Sequence, residues 1–334
     1  MMFHPDQITV IIPAFNPGVF LEEALDSIEA QTALPGRVIV IDDGSTPPII
    51  LSGKRRSLPV EIVRQKNTGQ AEARNVGVSL ARTPLVAFLD ADDLWHPLKL
   101  EWQLAALRTH PEVTCVGCRA ILVDASGTSI GSGPGSFTGG FSALSYQDFV
   151  NGAAEAVLVP SMVVMNRRTL SDIPVFNTAF QPIEDIVFFD GFFKKCGKAL
   201  MVDQALLKRR MHGNNLTFRY ADMLRGYLKW VMEYVEPCEN AALVQSLRSR
   251  AFLVTGLSAL SARQTSAARH LLRKSWCQQH NTKALCAFFF ACLGSWTADL
   301  FRRLKHVRSG QLGKRRLMMV LHPLNTPRTE GNKP

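Results

Sequence analysis

Val86-Ala-Phe-Leu-Asp-Ala-Asp-Asp-Leu-Trp95 is the stretch that decides the fold. Its apolar part, residues 85–89, predicts a buried strand, and the carboxylates of Asp90, Asp92 and Asp93 follow immediately. Carboxylates at the end of a buried strand are costly unless a cation neutralises them. Because Asp oxygens suit Mg²⁺ or Mn²⁺, the pattern indicates a metal that carries a diphosphate. The alternative is an acidic helix N-terminus, since residues 95–107 are predicted to be helical.

Two earlier segments also combine an apolar strand with polar residues at its end. In Ile8-Thr-Val-Ile-Ile-Pro-Ala-Phe-Asn-Pro17, Asn16 is predicted to cap a helix that begins at Pro17. Arg37-Val-Ile-Val-Ile-Asp-Asp-Gly-Ser45 is a second buried strand, which ends in two carboxylates. Apolar strands that alternate with helices are typical of a parallel sheet covered on both faces, and ligands bind beyond the carboxyl ends of such strands.

Six motifs carry a family resemblance, and they are Val10-Ile-Ile-Pro-Ala-Phe-Asn16, Val40-Ile-Asp-Asp-Gly-Ser-Thr46, Asn67-Thr-Gly-Gln-Ala-Glu-Ala-Arg-Asn-Val-Gly77, Leu89-Asp-Ala-Asp-Asp93, Glu184-Asp185 and Arg210-Met-His-Gly-Asn-Asn215. With them, residues 7–217 resemble the family 2 glycosyltransferases of the GT-A fold. The resemblance implies an α/β fold, with a Rossmann-like, mainly parallel sheet flanked by helices. It also implies inverting transfer of a sugar from a nucleotide-diphospho-sugar, UDP-linked by family habit, to a hydroxyl acceptor in cell-surface polysaccharide or glycoconjugate synthesis.

The resemblance also implies a donor site. Pro13, Phe15 and Asp43 match positions that hold the nucleotide base, Arg74 matches a basic residue near the base and phosphates, and Asp90 matches a position that faces the ribose. The complete set of expected nucleotide-sugar-binding residues is Pro13, Phe15, Asn16, Asp42, Asp43, Asn67, Gly69, Arg74, Asn75, Asp90, Ala91 and Asp92.

Catalysis and metal binding are assigned by the same resemblance. Asp185 matches the general base, and Glu184 matches a carboxylate that supports the base or contacts the acceptor. Asp185 is expected to lie across the donor pocket from Asp92 and to be ionised near neutral pH. The expected ligands of Mg²⁺ or Mn²⁺ are Asp92, Asp93 and His212. One departure concerns Gly191, because many family members carry an Arg at that position.

Each of these assignments has a simpler alternative. These alternatives are a solvated helix charge for Arg74, an acidic helix start for Glu184-Asp185 and a surface residue in a basic segment for His212, and the functional interpretation is favoured over each. Cys115 and Cys118 lie in an apolar run with no second pair, which favours two strand cysteines over a zinc or redox site. The Gly-rich residues 131–140 lack the ending of a phosphate loop and are interpreted as a flexible acceptor-side loop.

The C-terminal third has a different character, with helical periodicity in place of strand patterns. We expect a GT-A domain over residues 1–217, a helical region over 218–306 and a flexible basic tail over 307–334. Residues 284–298 are uncharged, but this run is shorter than the roughly 20 residues that span a bilayer. From residue 301 onward the chain carries nine Lys or Arg and one acidic residue. Attachment to an anionic membrane surface and a packed helix with a solvated tail both remain open.

Composition bounds the partners and the compartment. The formal net charge is +10, but the catalytic half carries no nucleic-acid recognition motif, so nucleic acid is not an expected partner. Seven Cys at irregular spacing, without a secretory signal, predict reduced thiols in the cytoplasm, with peripheral attachment to the inner face of the cell membrane if the tail binds lipid. The expected partners are a nucleotide-sugar donor and a saccharide or lipid-linked saccharide acceptor. A non-catalytic nucleotide-sugar-binding regulator is the alternative to an enzyme.

Overall fold

A computed structural model describes residues 3–53, 56–130, 140–151, 158–172, 176–212, 219–235, 237, 241–280 and 282–292 of the 334-residue chain. Within these ranges, the strands form one sheet flanked by helices. The strands are β1 (Ile8–Ala14), β2 (Arg37–Asp43), β3 (Val60–Gln65), β4 (Leu85–Phe88), β5 (Leu94–Trp95), β6 (Cys115–Val123), β7 (Phe141–Ser145), β8 (Val164–Asn166) and β9 (Lys198–Arg210).

The sheet is parallel at one end and mixed at the other. Its strand order is β3-β2-β1-β4-β8-β6-β9-β5, with β7 also paired to β9. The first four strands are mutually parallel, whereas β8 runs antiparallel to both β4 and β6. The expected α/β class is confirmed, and the parallel part carries the strands that the sequence identified. Because β1, β2 and β4 run the same way, their carboxyl ends open on one edge of the sheet.

Helices cover this sheet and continue beyond it. The helices are α1 (Phe20–Glu29), α2 (Gln70–Leu80), α3 (Lys99–Thr109), α4 (Tyr146–Asn151), α5 (Arg167–Asp172), α6 (Glu184–Cys196), α7 (Tyr220–Trp230), α8 (Ala241–Ser261), α9 (Thr265–Gln279) and α10 (Thr282–Cys292), and a π-helical turn, Val231–Val235, extends α7. The apolar face of α1 buries Leu21, Ala24, Leu25 and Ile28 against the sheet.

The start of α1 differs from the expectation. The helix begins at Phe20, so neither Asn16 nor Pro17 opens it. Asn16 has a positive φ of 46°, which Asn tolerates better than most residues. Its Oδ1 accepts a hydrogen bond from the Thr46 N–H at 2.8 Å, and its own N–H donates to Ser45 Oγ at 2.9 Å. Asn16 therefore joins the loop after β1 to the loop after β2 instead of capping a helix.

The helix expected over residues 95–107 also begins later, at Lys99. Pro97 disfavours helical geometry at the residue before it, and Leu94–Trp95 pairs with β9 as a short strand. The Trp95 indole is buried and its Nε1–H donates to the Ser161 carbonyl at 3.0 Å. A tertiary contact therefore overrides the local helix pattern.

The C-terminal helices pack on the sheet domain. Val244, Leu247 and Ala251 of α8 belong to the same buried cluster as the strands. Arg250 of α8 donates to the carbonyls of Phe149 and Val150 in α4 at 2.8 and 2.9 Å. A smaller cluster joins α8, α9 and α10. The core is therefore continuous across the described parts of both regions, and the expected domain limits stay predictions.

The apolar run of residues 284–298 lies only partly within the described chain. Its first part forms α10, which buries Ala284, Ala287 and Ala291 and leaves Phe289 59% exposed. Among the described helices, none combines the length and the hydropathy of a transmembrane span. Residues 293–334, which include the basic tail, and residues 131–139 of the Gly-rich segment lie outside the described residues.

Candidate active site

The turn after β4 carries Asp90, Asp92 and Asp93, and we call it the carboxylate turn. It is held by Ser161, in the segment just before β8. Ser161 Oγ accepts from the Asp90 N–H at 2.9 Å, and the Asp93 N–H closes the turn on the Asp90 carbonyl at 3.0 Å. Ser161 also accepts the Trp95 indole hydrogen bond through its carbonyl. These contacts orient the turn so that the Asp90 and Asp92 side chains remain partly exposed.

Arg74 joins the carboxylate turn to the N-terminus of α6. Its guanidinium donates to Asp90 Oδ1 and to Glu184 Oε1, each at 2.8 Å. Arg74 is 2% exposed and Glu184 is 1% exposed, so this is a buried ion pair and not a solvated helix charge. Phe176 lies beneath it, with its ring centroid 5.3 Å from the guanidinium carbon. The charges of α2, of the turn after β4 and of α6 therefore compensate one another inside the protein.

Asp185 is the second residue of α6 and lies beside the buried Glu184. Burial, followed by the Glu184 charge, raises the pKa of Asp185 to about 7, although Arg74 opposes the rise. The side chain is only half-buried and accepts a hydrogen bond from the Ile186 N–H at 2.8 Å. Near neutral pH Asp185 is therefore poised between its two protonation states, which suits a proton acceptor and is less ionised than the sequence-based expectation.

Asp92 and His212 lie side by side although they are 120 residues apart in the chain. Asp92 Oδ2 lies 2.9 Å from His212 Nε2, and the imidazole stacks on Phe20 of α1 with ring centroids 5.2 Å apart. Burial and the Asp90 charge raise the pKa of Asp92, whereas the His212 hydrogen bond lowers it. Arg210 supports this arrangement, since its Nε donates to the Asp92 carbonyl at 2.9 Å.

Asp93 does not join this pair. Its carboxylate is 2% exposed, and Oδ1 accepts from the Arg210 N–H at 3.0 Å. Burial, with the charges of Asp90 and Asp92, raises the pKa of Asp93 well above its usual value. Among the described residues, no group of three or more His, Cys, Asp or Glu side chains is placed to hold a metal ion. Asp93 thus anchors the end of β9, and the assignment of Asp92, Asp93 and His212 as metal ligands stays a prediction.

The Asp92–His212 pair fits a divalent cation whose coordination shell is completed by a bound ligand. Neighbouring ligands at about 2.1 Å from an octahedral ion lie about 3 Å apart, which matches the 2.9 Å between Asp92 Oδ2 and His212 Nε2. Mg²⁺ usually takes one or two carboxylates and completes its shell with water and substrate phosphates. Burial and then the Asp90 charge disfavour the ionised form of Asp92 and raise its pKa, and a bound cation would oppose both effects.

Asp42 and Asp43, at the end of β2, are buried and hydrogen-bonded within the protein. Asp42 accepts from the Ser45 N–H at 2.8 Å and pairs with Arg64 at 2.8 Å. Asp43 accepts from the N–H groups of Thr68 and Gly69 at 2.9 and 2.8 Å. Asp43 thus holds the loop that leads into α2, and contact of either carboxylate with a nucleotide base stays a prediction.

The other expected donor-site residues divide into accessible and supporting positions. Phe15 is 53% exposed at the end of β1, and Asn67 is exposed in the loop before α2, whereas Pro13 is buried in β1. Ala91 is half-buried in the carboxylate turn. Asn75 donates to the Phe176 carbonyl at 2.9 Å and accepts from its N–H at 3.0 Å, so its amide supports the backbone beneath Arg74.

The position of Gly191 lies in the middle of α6. The buried Asp190 beside it pairs with Lys194 at 3.0 Å, and Lys194 also donates to the Tyr234 carbonyl at 2.7 Å. Lys194 therefore links α6 to the turn that follows α7. Sequence reasoning missed the supporting roles of Ser161, Phe176 and Arg210, although Arg210 begins one of the six motifs. Their signals were weak, because each acts through contacts between distant segments.

The strand-end carboxylates and Arg74 lie within the segment that a family comparison matches. Residues 9–173 match the family described as glycosyl transferase family 2. The N-terminal half of the chain belongs to glycosyltransferase family 2. The family domain thus contains the parallel strands and the Asp90–Asp93 turn, while Asp185 and His212 lie beyond the matched residues.

Curated relatives match shorter stretches of the chain. The chain is 37% identical over 105 residues to an uncharacterized glycosyltransferase of Rickettsia felis, covering 31% of this chain and 17% of that protein. It is 41% identical over 99 residues to the succinoglycan biosynthesis protein ExoW of Rhizobium meliloti, covering 27% of this chain and 31% of that protein. The matched segment thus spans less than a third of either relative's length.

Solved structures support the fold over most of the chain. A crystal structure of residues 1–349 of S. aureus TarS superposes with a TM-score of 0.54 at 18% identity, covering 91% of this chain and 92% of that chain. The same region of TarS in complex with UDP-GlcNAc gives a TM-score of 0.52 at 15% identity, with the same two coverages. The likeness confirms the GT-A-like architecture with its C-terminal helical region.

Proposed function

We propose that the protein transfers a sugar from a nucleotide-diphospho-sugar, with UDP as the nucleotide, to a hydroxyl group of a saccharide or lipid-linked saccharide acceptor. Transfer inverts the anomeric carbon and contributes to a cell-surface polysaccharide or glycoconjugate. Family 2 membership supports the reaction class. The TarS complex with UDP-GlcNAc and the likeness to a succinoglycan biosynthesis protein support the donor class and the product class.

One observation carries this proposal, namely the Arg74 bridge between Asp90 and Glu184. The two ion pairs hold the carboxylate turn and the N-terminus of α6 in one rigid unit, although Arg74 and Glu184 are 110 residues apart in the chain. A transferase needs its charged donor site and its proton acceptor at a constant separation. The buried bridge supplies that constraint with side chains of this chain alone.

The proposed chemistry uses Asp185 as the base. Its carboxylate accepts the proton of the acceptor hydroxyl while that oxygen attacks the anomeric carbon, and the bond from this carbon to the diphosphate oxygen breaks. A single direct displacement of this kind inverts the carbon. Glu184 does not take the proton, since it is buried against Arg74. The half-burial of Asp185 keeps its pKa high enough for it to act as a base.

Asp92 and His212 are the residues proposed to hold Mg²⁺ or Mn²⁺ with the donor diphosphate. A divalent cation at this site supplies charge stabilisation for the departing diphosphate. Asp90 stays paired to Arg74 and positions the turn that carries Asp92.

The test is release of nucleoside diphosphate from a panel of UDP-, GDP- and dTDP-sugars, each with Mn²⁺, Mg²⁺ or chelator. We expect release from a UDP-sugar that depends on a divalent cation, and a decrease on the order of 10²-fold or more for Asp92→Asn, because the metal loses an anionic ligand. Glu112→Gln is the matched control, since Glu112 is an exposed carboxylate that pairs with the exposed Lys198 at 3.5 Å.

Thermal shift measured on the same panel separates the enzyme from the regulator. A nucleotide-sugar that binds the folded protein raises its melting temperature by mass action. Stabilisation by a UDP-sugar without any release of UDP, with or without acceptor, would favour the non-catalytic binder. Full activity of Asp92→Asn with an unchanged metal requirement would show that the donor site lies elsewhere.

A further inference from the structure

A cleft of about 370 Å³ lies between α7 and the segment that leads into α6. One wall is formed by residues of the segment 179–182, and the other by residues of α7 between Asp222 and Lys229, with Arg219 just before the helix. The cleft does not contain any of the residues assigned to the donor, the metal or the base. Its lining residues are Ala179, Gln181, Pro182, Arg219, Asp222, Arg225, Gly226 and Lys229.

The lining carries an excess of positive charge. Arg225 forms an ion pair with Asp222, which leaves Arg219 and Lys229 as the uncompensated cations. Among the described residues, neither of these two pairs with a carboxylate. The Lys229 ammonium lies over the Phe180 ring at 4.5 Å from its centroid, so its position is held without neutralising its charge. Two cations around one cleft favour an anionic ligand.

The cleft borders both halves of the proposed active site. The Gln181 side chain lies over Gly69, where an added Cβ would be only 2.0 Å from Gln181 Nε2. Gly69 in turn donates its N–H to Asp43, so this wall adjoins the donor-side loop. On the other side, Gly226 packs against Ile183, the residue immediately before Glu184.

A ligand in this cleft is therefore next to the start of α6, where Asp185 lies. The base must face the hydroxyl that it deprotonates. The molecule that occupies the space beside the base is then the acceptor, whereas the donor diphosphate belongs with Asp92 and His212.

We propose that the acceptor is an anionic glycan, and that Arg219 and Lys229 bind a phosphate or carboxylate group of that acceptor close to the hydroxyl that receives the sugar. This inference rests on the proposed glycosyl transfer and names its acceptor class. Arg219 supplies a planar fork of donors that suits phosphate and carboxylate, and Lys229 adds a point charge. The pair is expected to select charged acceptors against neutral sugars of the same size.

The first experiment measures binding of small probes in matched pairs, namely glycerol 3-phosphate against glycerol and glucuronate against glucose. Titration calorimetry at low salt, without metal, is expected to detect only the charged member of a pair. Preference for glycerol 3-phosphate or for glucuronate then distinguishes a phosphate-bearing from a carboxylate-bearing acceptor. Arg219→Gln should weaken the charged probe by about tenfold or more, in line with the loss of a charge-assisted hydrogen bond.

Controls separate a lost contact from a lost fold. Arg219 is exposed, so its variant is expected to keep the parental melting temperature, and Lys229→Gln tests the second cation independently. Arg168→Gln removes an exposed cation from α5, away from the cleft, and should bind each probe as the parent does. The affinity for UDP with Mn²⁺ is measured in every variant.

Three outcomes would overturn the proposal. The first is equal binding of charged and neutral probes, and the second is unchanged probe binding in both Arg219→Gln and Lys229→Gln. The third is loss of UDP binding with retained probe binding in these variants, which would assign the cleft to donor phosphates. Release of UDP by the parental protein without acceptor tests the proposed function separately. If that release occurs while anionic probes fail to bind, only the acceptor class is wrong.

Discussion

Arg74 shows how one side chain determines the arrangement of the candidate site. Its guanidinium is fully buried and stays charged because Asp90 and Glu184 lie on either side of it. Removing one partner of a buried ion pair leaves the other charge uncompensated, at a cost of about 3–5 kcal/mol. The bridge is therefore both a stability element and the link between the donor carboxylates and the base.

Glu184→Gln tests this link at the level of stability. The amide can still accept a hydrogen bond from Arg74, and Asp90 still pairs with the guanidinium, so only part of this cost is expected. We expect the free energy of unfolding to fall by about 1–3 kcal/mol, measured by urea denaturation. Glu112→Gln breaks only an exposed pair and should change stability by less than about 1 kcal/mol. Parental stability of Glu184→Gln would contradict a structural role for the bridge.

Asp185 gives a prediction for the pH dependence of activity. With its pKa raised to about 7 in the free protein, kcat/KM should fall about tenfold for each pH unit below that value, because the protonated carboxyl cannot accept a proton. Asp185→Asn should lower the rate by a factor on the order of 10² to 10⁴ and abolish this acid limb, with donor affinity retained. A parental rate in Asp185→Asn, or an unchanged acid limb, would assign the base to another residue.

The raised pKa of Asp185 also determines how the free energy of unfolding depends on pH. A carboxyl whose folded-state pKa exceeds its ordinary value of 3.8 favours the folded state most below that value. Its contribution is lost as the pH rises through about 7, since ionisation is then easier in the unfolded chain. We expect Asp185→Asn to flatten the decline in the free energy of unfolding between about pH 4 and pH 7, measured by urea denaturation across that range. A decline identical to the parental one would contradict the buried environment of Asp185.

At the scale of elements, the packing of α2 on β1 positions Arg74. Gly77 of α2 lies against Ile11 of β1, and an added Cβ would approach Ile11 Cγ2 to 2.3 Å. Neither element can move freely, because β1 is hydrogen-bonded on both sides by β2 and β4. The helix therefore sits closer to the sheet than any residue larger than Gly permits.

Gly77→Ala tests this contact. Ala is the better helix former by about 1 kcal/mol, but the clash should outweigh that gain, with a net loss of about 1–2 kcal/mol in the free energy of unfolding. Because α2 carries Arg74, transferase activity should fall as well. Gly53→Ala is the control, since a Cβ there meets no atom of the described residues within 4 Å. Unchanged stability in Gly77→Ala would show that α2 can shift without cost.

At the scale of the whole molecule, the C-terminal helices and the sheet domain share one core. Tyr227, Trp230 and Leu247 lie in the same buried cluster as β1 and β4. Arg250 ties α8 to the backbone of α4. We therefore expect the helices to unfold together with the sheet domain, in a single cooperative transition by fluorescence and circular dichroism.

The basic C-terminal residues lead to a prediction about membranes. Residues 301–334 carry nine Lys or Arg and one acidic residue, so electrostatic attraction to anionic lipid is expected. Removal of residues 293–334 keeps α10 and should abolish co-sedimentation of the protein with anionic vesicles at low salt. High salt should release the intact protein at least in part. Failure of the intact protein to sediment with these vesicles would contradict membrane attachment.

Local patterns in the chain were enough to predict the parallel half of the fold. The apolar runs that became β1, β2 and β4 are continuous because both of their faces are covered, and such runs are visible without any tertiary information. The position of Asp90 and Asp92 follows from the same runs, since a polar residue after a buried strand must lie at its carboxyl end. Cys115 and Cys118 are likewise free thiols within β6, as their apolar neighbours indicated.

Long-range packing determined what each carboxylate does. Nothing near Asp93 in the chain shows that its carboxylate turns inward to the Arg210 backbone, 117 residues away. The pairing of Glu184 with Arg74 is equally invisible locally, although it separates a buried structural acid from the half-buried Asp185 beside it. Sequence periodicity reports how a segment is covered, whereas the partner of a buried charge depends on which distant segments the folded core brings into contact.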